Sequence, residues 1–209
     1  MSDENLRVAA DFWKSRVDYP EYPFLKERRL VEVSYLLKNI PSDATSLADF
    51  GCGDGSNLLL LRELSYVTVL YGYDLSESLI SVAQKKLGDS AVLKNIDFLQ
   101  SDALPEVDVA LSLGVLPYLF TEDALTKYLN LIQCKRLIVR TPCALDQNVV
   151  INKYSQELGA DYAAIYRTVS EVEAILSSRF VLRSTERSYP NNIESKYGTK
   201  QYYFVCDAK

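Results

Sequence analysis

The chain has no histidine anywhere in its 209 residues. That removes the commonest metal ligand and the commonest general base. Its four cysteines, Cys52, Cys134, Cys143 and Cys206, include no Cys-x-x-Cys pair. A zinc site would want such clusters, so no metal is expected, and the cysteines read as small buried residues rather than a disulfide framework. No apolar stretch approaches the roughly 20 residues of a membrane span, so no membrane partner is expected. Long runs of Lys and Arg are also missing, and the formal net charge is −5. A nucleic-acid partner is therefore not expected. The opening residues Met1 to Asn5 are acidic and polar and lack the basic and apolar regions of a secretion signal, so a cytoplasmic location is the default expectation.

What is present is an ordinary globular balance, 48% hydrophobic and 24% charged, with an unusual 15 tyrosines. The length suits one α/β domain over residues 1–209 with a small appendage. The spacing predicts helices over 5–16 and 24–37, with Leu30, Val33, Leu36 and Leu37 on one face, separated by the turn-rich Asp18 to Pro23. Strands and helices then alternate: strand 46–51, helix 56–64, strand 67–74, helix 77–87 capped by Ser76, strand 96–100, strand 107–113, helix 121–132 capped by Thr121, strand 136–140. Such alternation predicts a parallel sheet with helices on both faces. Residues 143–167 read as loop and helix. A helix over 170–178, capped by Thr168 or Ser170, precedes two strands, 180–188 and 201–206. Pro190 to Asn192 and Gly198 supply turns between those strands, predicting an antiparallel pair.

Three strand ends carry the chemistry. The first runs into Asp49-Phe50-Gly51-Cys52-Gly53-Asp54-Gly55 and then a helix, the arrangement of a nucleotide or anion loop. A dinucleotide fingerprint would want glycine where Ser56 stands, which counts against a nicotinamide oxidoreductase, the first rival reading. Asp74 closes the next strand 23 residues after Gly51, near the roughly 20 expected of a ribose-binding acid. Asp102, followed by Ala103, is the carboxylate placed after the third strand, suited to accept from an adenine amine.

On these residues the chain resembles the class I S-adenosylmethionine (SAM)-dependent methyltransferases of small-molecule type. Leu47 to Gly55 is similar to that family's first motif, Asp74-Leu75 to its ribose-binding acid, Ser101-Asp102-Ala103 to its adenine segment, and Leu111 to Leu116 to the segment beside the methionine part of SAM. The resemblance covers about residues 47–142. It implies a Rossmann-like, doubly wound, seven-stranded sheet, mostly parallel with an antiparallel C-terminal strand. It implies SAM as cofactor, held by Asp49, Gly51, Cys52, Gly53, Asp74, Leu75, Asp102, Ala103 and Leu113. Residues 1–40 resemble a helical cap that closes over SAM. Arg28 and Arg29 point about 100° apart on a helix, so one only is expected to face the site, with Arg29 the candidate for the SAM carboxylate.

The implied function is methyl transfer from SAM to a small polar acceptor, of the sugar or metabolite type. Where that family's small-molecule members often carry a histidine, this chain has Pro117 and Tyr118. Any base must come from Tyr118, Asp146, Glu157 or Tyr189, or catalysis rests on positioning an already activated donor. Residues 143–167 are the expected acceptor-side insertion, with Tyr154, Tyr162, Tyr166 and Arg167 as its wall. Pro142-Cys143 has the look of a cytosine-methylating nucleophile, but a buried structural Cys143 is the preferred reading. A non-catalytic SAM-binding protein and a nucleic-acid methyltransferase stay as the other rivals.

Overall fold

Short β-branched and aromatic runs closed by turn residues fold here as strands, and the amphipathic segments between them as helices. The computed structural model describes residues 2–18, 25–156, 158–189 and 198–209. The strands are β1 (Ser46–Phe50), β2 (Val69–Asp74), β3 (Val92–Asn95), β4 (Val107–Leu113), β5 (Cys134–Ala144), β6 (Val149–Ser155), β7 (Ala160–Tyr166), β8 (Phe180–Arg187) and β9 (Thr199–Ala208). The helices are α1 (Ser2–Lys14), α2 (Leu25–Asn39), α3 (Ser56–Leu64), α4 (Glu77–Leu87), α5 (Glu122–Leu131) and α6 (Val169–Ser177). Among the described residues no helix is long and apolar enough to cross a membrane.

Seven strands form one sheet in the order β3-β2-β1-β4-β5-β9-β8. The pairs from β3 to β5 are parallel, and β9 runs antiparallel to both neighbours, β5 and β8. This is the expected Rossmann-like sheet with its single reversed strand. Its two faces are both buried. Along β5, Leu137 and Val139 enter one cluster with Phe50, Tyr128 and Phe204, while Ile138 enters the other with Leu47, Leu58 and Tyr203. That period of two with apolar residues on both sides is the mark of a sheet covered on both faces.

Capping follows the sequence closely. Ser76, Thr121 and Thr168 accept hydrogen bonds from the third residue of α4, α5 and α6 respectively, at 3.1, 3.1 and 3.3 Å. Leu30, expected on the apolar face of α2, is instead exposed, whereas Val33 and Leu36 are buried. Two segments differ more. The third strand is β3, upstream of the expected 96–100, because Val92 to Asn95 is the stretch that pairs with β2. Residues 149–166 form an antiparallel hairpin, β6 with β7, in place of loop and helix. Gly159, with φ at +64°, makes its turn. The turns expected around Pro20 and Pro190 fall largely or wholly outside the described residues.

Candidate active site

The carboxyl ends of β1, β2 and β4 open into one cavity of about 590 Å³, covered by α1, α2 and the β6–β7 hairpin. The turn after β1 shapes its floor. Gly51 has φ at +87°, and a Cβ there would stand 2.7 Å from Val115 Cγ2, so both conformation and space require glycine. The amides of Gly51 and Cys52 donate to the Tyr73 carbonyl at 2.7 and 3.0 Å. Asp74 ties the two loops together: its carboxylate accepts from the amide of Gly53 at 2.8 Å and from that of Ser76 at 2.9 Å. Asp54 accepts from both the amide and hydroxyl of Ser56 at the start of α3 and pairs with Lys86. Those partners lower its pKa against the opposing effect of burial. The helix start, the natural seat of a phosphate, is thus served by the protein's own carboxylate.

Four carboxylates, Glu32, Asp49, Asp54 and Asp74, border this end of the cavity. Asp49 is 2% exposed, and its Oδ1 has no hydrogen-bond partner among the described residues. Burial, then the charges of Glu32 and Asp74, push its pKa up to about 8, against the pull of Arg140. Glu32 is a hub. It accepts from Asn57 Nδ2 at 2.6 Å and from the Tyr189 hydroxyl at 3.3 Å, and its Oε2 lies 2.6 Å from Arg140 Nε. Arg140 also donates to Gln201 Oε1 at 3.2 Å. Burial pushes the Tyr189 hydroxyl up to about 12 and the Cys52 thiol well above its ordinary value, so neither group ionises readily at neutral pH.

The opposite end of the cavity is aromatic. Trp13 comes from α1, Tyr118 from a 3-10 turn over Leu116–Tyr118, and Tyr162 and Tyr166 from β7. The Tyr162 hydroxyl lies 3.2 Å from that of Tyr118 and 3.2 Å from that of Tyr166. Arg167 does not line the cavity. It is buried behind it, donating to the carbonyls of Leu116 and Leu119 at 3.2 and 2.6 Å and so holding the 3-10 turn.

Of the sequence-predicted residues, Asp49, Gly51, Cys52, Asp74, Leu75, Leu113, Arg29, Tyr118 and Tyr189 all border the cavity. Gly53 sits buried beside them on Asp74. Asp102 and Ala103 are corrected: both are exposed and away from the cavity, because β3 ends at Asn95 and the chain meets the cavity with Asp97, Phe98 and Leu99. Asp146 is exposed in the bend before β6 and stands outside the described lining of the cavity. Glu157 lies outside the described residues. Tyr154 is 60% exposed and faces away, while Tyr162 and Tyr166 do form a wall. Cys143 is buried and packed in the core, the structural role preferred for it. Both Arg28 and Arg29 line the cavity, since it wraps the first turns of α2 and their side chains are long. Sequence reasoning missed Glu32, Asn57 and Arg140. Glu32 carried a signal, since it follows Arg29 and Arg28 by three and four residues and shares their helix face.

Comparison with known proteins bears on the domain and the fold. Residues 48–137 match the family described as "Methyltransferase domain". A small RNA 2'-O-methyltransferase of Arabidopsis thaliana is 36% identical over 154 residues, 65% of this chain and 15% of that protein. The chain therefore spans about a seventh of that relative's length. Among solved structures, a putative SAM-dependent methyltransferase from Listeria monocytogenes superposes with a TM-score of 0.66 at 16% identity, covering 88% of this chain and 99% of that one. Geranyl diphosphate C-methyltransferase from Streptomyces coelicolor A3(2) superposes with 0.67 at 12% identity, covering 98% of each.

Proposed function

We propose that this chain is a class I SAM-dependent methyltransferase that methylates a small-molecule acceptor, a reading supported by its fold and by the methyltransferase-domain match over residues 48–137. The observation that carries the proposal is the buried, unpartnered Asp49 Oδ1 beside the Gly51 turn and Asp74. An orphaned buried carboxylate oxygen wants a donor, and an amino-acid ammonium is one. The residues present fit SAM throughout. Asp49 would take its ammonium, and Arg28 or Arg29 its carboxylate. Asp74 has acceptor capacity left for a ribose diol. Leu75 and Phe98 would flank the adenine, with Asp97 in the place first given to Asp102. Asp54, bonded to the Ser56 amide and hydroxyl at the start of α3, occupies the place that the pyrophosphate of a dinucleotide would want.

Bound SAM supplies a methyl group on a cationic sulfur, which is already activated toward an acceptor lone pair. The chain's own residues hold donor and acceptor in line and exclude water under α1 and the hairpin. Tyr118 is the hydroxyl at the acceptor end best placed to take a hydrogen bond from the acceptor, whereas Tyr189 is engaged with Glu32. Titration calorimetry with S-adenosylhomocysteine and NAD tests the reading. S-adenosylhomocysteine should bind and NAD should not, with Asp74→Asn weakening binding about tenfold through lost charge-assisted bonds; binding of NAD alone would overturn it. The 36% identical relative favours one second reading, methylation of small RNA. Labelling of RNA duplexes from radioactive SAM at physiological salt would support that reading instead.

A further inference from the structure

The cavity is chemically divided. Its charged lining residues come from α2 and the strand tips: Arg28, Arg29, Glu32, Asp49, Asp74 and Arg140 among them. The lining residues that α1, the turn after β4 and the hairpin contribute include no charged side chain among the described residues. They present instead Trp13, Tyr118, Tyr162 and Tyr166, with Leu6 and Leu158. The rings stand edge to face: Trp13 to Tyr118 at 5.1 Å and 71°, Tyr118 to Tyr162 at 6.2 Å and 82°. The three tyrosine hydroxyls run in one line, each 3.2 Å from the next.

Resting on the methyl-transfer reading, we propose that the acceptor is an uncharged, flat aromatic compound carrying the hydroxyl or amine that is methylated. Aromatic walls reward a planar ring with offset and edge contacts worth about 0.5–1.5 kcal/mol per pair beyond burial. The tyrosine line offers that ring a small number of polar partners at one edge, the pattern of a specific small-molecule site. A phosphate or carboxylate would be buried here with no Lys or Arg among the described residues that line this end, and a sugar would set its hydroxyls against a mostly aromatic and aliphatic wall. An ammonium would face the cationic sulfur of the donor. In the reaction the S–CH3 bond breaks and its electron pair stays on sulfur. The acceptor oxygen or nitrogen forms the new bond to carbon, and its proton is relayed along the tyrosine hydroxyls, each releasing its own proton as it takes one, to solvent outside the cavity.

The test uses the full chain saturated with S-adenosylhomocysteine and titrated calorimetrically with three probes: 1-naphthol, 1-naphthyl phosphate and methyl α-glucoside. We expect 1-naphthol to bind at least about tenfold more tightly than either of the others. Tyr162→Phe, which keeps the ring and breaks the hydroxyl line, should weaken 1-naphthol about fivefold, the loss of one hydrogen bond, with S-adenosylhomocysteine affinity unmoved. Equal or tighter binding of the phosphate or the glucoside overturns the proposal, as does 1-naphthol failing to bind or ignoring Tyr162→Phe. If S-adenosylhomocysteine itself does not bind, the methyl-transfer reading falls and takes this one with it.

Discussion

Asp49 sits where burial and two neighbouring carboxylates hold its proton on, raising its pKa from 3.8 to about 8. The unfolded chain releases that proton near the ordinary carboxylate value, so between there and pH 8 the native state binds more protons than the unfolded one. Stability from this group is complete below the ordinary value and is lost as pH rises through 8. Asp49→Asn should therefore flatten the fall in melting temperature between pH 6 and pH 8, measured by thermal denaturation. Ligand binding runs the other way. An ammonium prefers the ionised carboxylate, so S-adenosylhomocysteine affinity should rise with pH by up to about tenfold per unit toward pH 8 and lose that slope in Asp49→Asn. A wild-type affinity independent of pH would remove Asp49 from the ligand's partners. Asp49, Gly51 and Asp74 were legible because strand ends and glycines mark the sheet's carboxyl edge. Asp102 misled because Ile96 to Gln100 is apolar enough to resemble a strand. Arg140 looks like an ordinary strand-closing cation until the fold sets it against Glu32.

At the scale of elements, the 3-10 turn that delivers Tyr118 is held from behind by Arg167, which is 5% exposed and bonded to two of the turn's carbonyls. Arg167→Met would leave the carbonyls of Leu116 and Leu119 without those donors. Losing two buried, charge-assisted bonds should cost about 3 kcal/mol. For a domain of this size that is a fall of roughly 6–12 °C in melting temperature. A melting temperature within a degree or two of wild type would show that the turn holds without the clamp. The capped helices were readable because Ser76, Thr121 and Thr168 precede apolar periodicity directly. The hairpin was not. It lies outside the main sheet, one face of β6 is largely exposed, and Ala163 and Ala164 are buried side by side, so the alternation that betrays a strand is broken.

For the whole molecule, the seven-stranded sheet was legible from alternation, and the reversed strand from two terminal strands with no helix between them. The cover was harder, since it joins segments far apart in sequence. Asn152 Nδ2 of the hairpin donates to Asn5 Oδ1 of α1 at 2.6 Å, and Phe12 stands edge-on to Tyr162 at 5.2 Å. Ser76, the cap of α4, donates to the carbonyl of Arg16 just past α1 at 2.6 Å. The Asn152 and Phe12 ties join α1 and the hairpin to each other, so the two should open together, at a lower free energy than the sheet. Asn152→Ala removes one such tie worth about 1 kcal/mol. Hydrogen exchange should then speed about fivefold in α1 and β7 alike, with β1, β4 and β5 unchanged. S-adenosylhomocysteine at 100 times its dissociation constant should add about 2.7 kcal/mol of stability to the whole and slow exchange in the glycine turn first. If Asn152→Ala quickened β4 as much as α1, the cover and the sheet would be one cooperative unit, and ligand entry would require more than lifting the two segments that close the cavity.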